Sequence, residues 1–168
     1  MITNRFTRGI LIGLALLLAF APFATAYAVG KPIRSRAPFG PPFTIADKPC
    51  QTFDVRWEAL SDNSYLTIFT EKTATRYTVT GVLKSRLTNE TTGKSIELNT
   101  SCRLVERDYE DGSWTFACDG PSVWANWPGL PALAYTRGNV SFTYDADGNL
   151  VKAVRTGLVQ DLCAALAP

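Results

Sequence analysis

Hydrophobic and polar residues alternate through most of this chain, and the alternation sets in at Cys50. Phe53, Val55 and Trp57 stand between Asp54, Arg56 and Glu58, the period-two signature of a half-buried strand. After the turn-forming Ser61-Asp62-Asn63-Ser64, a second strand is expected over Tyr65 to Thr70. A longer one follows, with Tyr77, Val79, Leu83 and Leu87 on one face and Thr78, Thr80, Lys84 and Arg86 on the other. Asn89-Glu90-Thr91-Thr92-Gly93 supplies turn residues that tolerate positive φ. Ile96 and Leu98 open the next strand, and Trp114 and Phe116 mark its partner beyond an acidic hairpin tip at Asp108 to Gly112. Val140, Phe142 and Tyr144 alternate again before Asp145-Ala146-Asp147-Gly148-Asn149 turns the chain into Leu150 to Arg155. The pattern predicts an all-β domain, an antiparallel small barrel or sandwich of about seven to nine strands.

Two segments depart from period two. At the C-terminus Leu158, Leu162 and Leu166 recur every four residues, with Val159 and Cys163 beside them, so a short helix is expected there with Thr156 as its N-cap. Ahead of Cys50, residues 30 to 49 hold prolines at 32, 38, 41, 42 and 49, which exclude helix and make a poor strand. Residues 27–49 are read as an extended spacer and 50–168 as the β domain with its helix. Further upstream, Arg5 and Arg8 precede the apolar run Ile10 to Phe20, Pro22, and two small-x-small sites at Ala24-Thr25-Ala26 and Ala26-Tyr27-Ala28. This is the layout of a Sec-type signal peptide over 1–26, cleaved after Ala26 or Ala28. The run is shorter than the roughly 20 residues that span a bilayer. An extracellular protein without a membrane span is expected.

Charge changes the picture once the leader is set aside. The chain has 17 Lys+Arg against 15 Asp+Glu, and removing Arg5 and Arg8 leaves 15 against 15. From Cys50 onward 11 basic residues face 14 acidic ones, which argues against nucleic acid or an anionic membrane as the main partner. There is no histidine, so triad hydrolases and most zinc sites drop out. No cofactor and no metal is expected. The carboxylates of Glu58, Glu71 and Glu97 occupy ordinary strand positions, and Glu106, Asp108, Glu110 and Asp111 gather at a hairpin tip, so glycosidase-type chemistry is not supported.

Four cysteines in an exported chain are expected as two bridges. Parity selects the pairing. Cys102 shares a face with Leu98 and Leu104, and Cys118 shares one with Trp114 and Phe116. A hairpin centred near Glu110 sets Leu104 opposite Phe116 and Cys102 opposite Cys118. Cys50 is then left for Cys163, closing a loop worth about 4–5 kcal/mol in the chain-entropy model. No CxxC spacing suggests a redox or metal site.

The remaining motifs are short. Asp145 to Asn149 resembles a calcium loop, but its glycine is misplaced and it reads as a hairpin turn. Asn89, Asn99 and Asn139 head glycosylation-type triplets. The stretch Val123 to Tyr135 crowds aromatic residues around Pro128 and Pro131, either as a binding loop or as a lid folded over the core. Its Trp124, Trp127 and Tyr135 are the candidate ligand-binding residues.

Within Thr78 to Asn99 the run VTGVLKSRLTNETTGKSIELN, with the T-N-x-T-T-G-K-x-x-x-L-N stretch inside it, resembles the small exported β-rich proteins of unknown function common in actinobacteria. The Asp111-Gly112 turn and the ending Asp161-Leu162-Cys163-Ala164-Ala165-Leu166 belong to the same likeness. The resemblance implies a small barrel or sandwich with a C-terminal helix, and it brings no catalytic residue or ligand. The expected function is that of a secreted, non-enzymatic domain with a small apolar or carbohydrate ligand. A structural or interaction protein of the cell envelope, tethered by the spacer, is the alternative, and an inhibitor of an extracellular enzyme a third.

Overall fold

The computed structural model describes residues 30–168, so the signal-peptide reading of 1–26 lies outside the described residues. In chain order the first strands are β1 (Ile33–Arg36), β2 (Phe43–Thr44), β3 (Val55–Asp62), β4 (Tyr65–Thr70), β5 (Ala74–Thr80) and β6 (Leu83–Asn89). After them come β7 (Ser95–Asn99), β8 (Arg103–Tyr109), β9 (Trp114–Ala125), β10 (Leu133–Tyr144), β11 (Leu150–Arg155), β12 (Leu158–Asp161) and a short helix α1 (Leu162–Leu166).

The alternating run from Tyr77 to Leu87 is two strands, and the reason sets the architecture. At Gly81 φ is +139°, and a Cβ there would stand 2.2 Å from the carbonyl oxygen of Asn63. Only glycine fits such an approach, and there the chain leaves one sheet for the other. It also crosses between β1 and β2, β3 and β4, and β7 and β8. The result is an eight-stranded antiparallel sheet in the order β1-β4-β5-β8-β9-β10-β11, with β12 also on β10, and a four-stranded sheet β2-β3-β6-β7. The two are stacked like a sandwich and do not close into a barrel. Among the described residues there are twelve strands rather than seven to nine, because alternation does not reveal where a strand changes sheets and because the Pro-rich stretch supplies two.

That stretch was expected to be a spacer and a poor strand. Extended it is, yet β1 pairs with β4 (Ile33 opposite Ile68, Arg36 opposite Tyr65) and β2 pairs with β3. Both strands lie at sheet edges, where proline's missing donor costs least.

β9 and β10 pair over their whole length, from Ala125–Leu133 to Trp114–Tyr144, and the hairpin is bent. Phe116 and Trp124 lie eight positions apart on β9, which a straight strand would spread over about 26 Å. Their ring centroids are 5.8 Å apart. The bend falls where Gly120 and Gly138 face each other, both at positive φ. One face of the bent hairpin carries Val123, Leu133 and Tyr135 into the main core against the four-stranded sheet. The opposite, concave face carries Phe116, Cys118, Trp124, Val140 and Phe142 into a second cluster.

In the main core Val55, Leu87, Leu133, Leu162 and Leu166 are fully buried. The helix that supplies the last two begins later than expected. Leu158 and Val159 belong to β12, opposite Arg137 and Thr136, and Asp161, not Thr156, caps α1 by accepting from the N–H of Cys163 and Ala164. A four-residue repeat is also a multiple of two, so the leucine stripe fits a strand as well as a helix, and pairing to β10 decides.

Both disulfides form as paired from the sequence, Cys50–Cys163 and Cys102–Cys118. The β8–β9 register is two residues from the expected one, with Leu104 opposite Cys118 and Glu106 opposite Phe116. The turn is the cause. Tyr109 N–H bonds to Ser113 and Gly112 sits at φ +83°, so Glu110-Asp111-Gly112 form a three-residue loop centred one residue later.

Candidate functional site

Where the concave side of the hairpin faces the crossing points between sheets, the packing leaves a cleft of about 300 Å³. Each wall follows from a local cause. Trp124 projects from the end of β9 and is fixed by its indole N–H, which donates to Thr136 Oγ1 at 2.9 Å, while Thr136 also shares a 2.9 Å hydrogen bond with Ser122. Trp127 sits on the 126–132 loop, which Asn126 opens at φ 58° with its N–H bonded to Ala132. The loop folds back so that Trp127 lies against Phe116 (5.5 Å), Trp124 (5.3 Å) and Phe142 (4.6 Å). The lid geometry, not a displayed loop, is what this segment adopts.

The floor comes from Val79, Leu104 and Cys118 of the large sheet, stapled by Cys102–Cys118. The far wall is Trp57 of β3 with Phe39 from the Pro-rich stretch, whose ring lies 5.0 Å from the indole. Phe39 is held by its backbone N–H donating to Asp62 Oδ2 at 2.7 Å, and Ala37 N–H donates to Ser64 O. Hydrogen bonding from the Ser64 side chain, together with the N–H groups of Phe39 and Ser64, holds the Asp62 carboxyl below its ordinary value.

The lining contains no ionisable side chain. Its hydroxyls are mostly occupied within the protein: Thr100 bonds to Ser85, Ser101 to both backbone groups of Leu83, and Ser122 to Thr136. One wall donor is not. Trp57 Nε1 is buried with no hydrogen-bond partner among the described residues. A surface of this kind desolvates an apolar molecule, and its polar groups are neutral hydroxyls.

Of the candidate residues, Trp124 and Trp127 line this cleft together. Tyr135 does not. It points into the main core at 2% exposure, its hydroxyl donating to Asn99 O at 3.0 Å and receiving Arg137 Nε at 3.3 Å. Alternation on β10 accounts for the split, since Tyr135 is one residue out of phase with Ala134, the partner of Trp124. Phe39, Trp57, Phe116 and Leu104 were missed as site residues. The aromatic pair Phe39 and Phe43 among prolines was the available signal.

The other motifs resolve structurally. Asn89 is fully buried, its Nδ2 donating to Leu166 O and its Oδ1 accepting from Thr91 and Thr92, so it is a structural bracket and not a glycosylation acceptor. Asp145 accepts from Asp147 and Asn149 N–H as a hairpin turn does, and these bonds lower its pKa. Among the described residues there is no cluster of groups able to hold a metal and no helix long and apolar enough to cross a membrane. No protein-family model, curated protein or solved structure matches the chain.

Proposed function

We propose that this protein is an exported, non-enzymatic binding module that holds a small, neutral, mainly apolar ligand between Trp57 and the Trp124–Trp127 pair. The observation that carries the reading is the cleft itself: about 300 Å³, walled by three tryptophans and two phenylalanines, with no ionisable group in its lining. That volume lies at the lower end of small-molecule sites. A carbohydrate is the weaker fit, because most wall hydroxyls are already bonded within the protein. Export is supported by the apolar leader and by the two disulfides, which suit an oxidising compartment. A free tether to the envelope is a poorer account of residues 30–49, since β1 is paired into one sheet and β2 into the other.

The test uses N-phenyl-1-naphthylamine, a neutral apolar fluorophore, titrated into the oxidised protein. Saturable one-to-one uptake with quenching of tryptophan emission is expected. Trp127→Ala and Phe39→Ala should each weaken it at least tenfold, which corresponds to about 1.4 kcal/mol. Uptake that fails to saturate, or that both variants leave unchanged, would sink the reading.

A further inference from the structure

Net charge near zero hides a segregation that only the strand register exposes. Residues directly opposite one another in antiparallel strands project from the same face, so the register sorts the charged side chains of the large sheet by side. On the face turned away from the cleft, one row runs Arg34, Thr67, Thr78, Val105, Ala117, Ser141, Val154. The flanking rows add Arg36 with Tyr65, Arg103 with Asp119, and Phe69, Arg76, Arg107, Thr115, Thr143, Lys152. Six cations therefore share this side, and the acids Glu106 and Asp108 of the same β8 strand go to the other.

Few acids offset them. Glu71 pairs with Arg76 and, at 3.7 Å, with Arg107, and Asp119 stands opposite Arg103. Asp62, near Arg36, has both carboxylate oxygens taken by the N–H groups of Phe39 and Ser64. Arg34, Arg36, Arg103 and Lys152 are exposed and, among the described residues, make no ion pair. From β1 to β11 the face crosses six inter-strand steps, roughly 29 Å at about 4.8 Å each.

We infer that this face docks an extended anionic polymer carrying repeated phosphate groups. Charge complementarity chooses the anion, and the surface between the cations chooses the kind. The hydroxyl residues Thr67, Thr115, Ser141 and Thr143 fill the gaps, while Thr78 in the central row is buried. Two of its aromatic rings are capped by guanidinium groups, Tyr65 by Arg34 at 4.5 Å and Arg36 at 5.0 Å, and Phe69 by Arg76 at 3.9 Å. One further ring, Tyr109 opposite Ala74, stands at the end of the face, and a single ring gives no run of platforms for successive bases, as single-stranded nucleic acid requires. Apart from the edge residue Val154 no large apolar side chain on the face is exposed, so it has no wedge to bury in a bilayer. An array of cations separated by hydroxyls suits a charged chain lying across the strands. Its phosphates meet the arginines, and its affinity comes mainly from counterion release.

The test measures binding of long-chain inorganic polyphosphate to the oxidised protein as a function of NaCl. One variant removes three cations from the face (Arg34→Gln, Arg103→Gln, Lys152→Gln). A control removes three from elsewhere (Lys48→Gln, Arg56→Gln, Lys84→Gln) and has the same net charge. The face variant should lose at least tenfold in affinity, with a log K against log salt slope shallower by about two to three; the control should lose less than threefold. If the triple variant does not fold, Arg34→Gln with Lys152→Gln, both at the sheet's edges, should still lose about fivefold. Equal losses in face and control variants would overturn the inference, as would polyphosphate binding that is absent or indifferent to salt. Binding to vesicles of phosphatidylcholine and phosphatidylglycerol (3:1) as tight as to polyphosphate would assign the face to membranes and overturn it too.

Discussion

The two faces of the β9–β10 hairpin meet different fates. On one side Leu133 and Tyr135 are shut beneath the four-stranded sheet, where Val55, Leu87, Leu133, Leu162 and Leu166 have no exposed surface. On the other, Cys118, Trp124, Val140 and Phe142 are buried, but Phe116 and the adjoining Val79 and Leu104 of β5 and β8 stay half-buried beside a seven-residue loop and a proline-rich strap. The closed core is sealed by a second sheet, a helix and Cys50–Cys163. The open one is covered by the loop that carries Trp127 and Leu130 and by Phe39 with Trp57, and a cleft remains. Sheets seal each other because their strand spacing and pleat match along a whole face, whereas a single loop covers only what its side chains reach. The same apolar strand pattern therefore makes a core on one side and a cleft on the other.

The bridges divide in the same way, and they give the largest expected effects. Cys50–Cys163 joins residues 113 apart and ties α1 to the start of the domain, while Cys102–Cys118 spans 16 and staples the cleft floor. In the chain-entropy model the first contributes about 4–5 kcal/mol and the second about 3 kcal/mol. Denaturant unfolding should therefore rank Cys50→Ser/Cys163→Ser as more destabilised than Cys102→Ser/Cys118→Ser. The second pair should loosen ligand binding more than its stability loss suggests. The reverse order of stability would mean that the closed core does not depend on its long staple.

Truncations sharpen the contrast at single positions. Leu87→Ala, at a site with no exposed surface, should cost about 3–4 kcal/mol, within the usual range for buried leucine. Leu104→Ala removes a half-buried side chain beside space that is already empty, and should cost about 1 kcal/mol. Leu104→Phe adds volume where there is room. It should leave the unfolding midpoint within a few degrees yet block uptake of N-phenyl-1-naphthylamine. Val55→Phe, the matched overpacking of the closed core, should cost about 2–3 kcal/mol. Similar losses at both sites would mean that the cleft is packed as tightly as the core.

Alternation in the sequence carried the all-β antiparallel class, and parity on two strands carried both disulfide pairings. Sheet changes were invisible, because a strand that crosses at Gly81 keeps its period and its inner face. The hairpin register slipped by two because parity is blind to even shifts, and the tip's glycine decides it. Trp124 and Trp127, singled out by their crowding around Pro128, line the cleft together. Tyr135 was not separable from them, since a loop and a strand end read alike without the phase that pairing imposes. Phe39 was hidden inside a segment whose prolines spoke for a linker. The basic face was hidden most completely, because net charge sums over both sides of a sheet.

Glu106 gives the smallest expected effect and distinguishes the two sides by pH. It stands opposite Phe116 and Tyr77 on the open face, with no ion pair among the described residues. Burial there, with the nearby Asp108 carboxylate second, raises its pKa above the ordinary 4.5. A carboxyl with a raised folded pKa holds its proton more tightly in the native state than in the unfolded one. Its stabilising contribution is present below 4.5 and is lost as pH climbs through the raised value. Asp62, Asp111 and Asp145 behave oppositely: their pKa values lie below 3.8, and their contribution is lost only as pH falls through that lower range. The windows do not overlap. Glu106→Gln should therefore leave stability unchanged near pH 4 and raise it at pH 7 by no more than about 1 kcal/mol, solvent screening included. Unfolding free energies from pH 3 to 8 read the difference directly. A constant offset across that range would place Glu106 in a fully solvated setting and remove it from the open face.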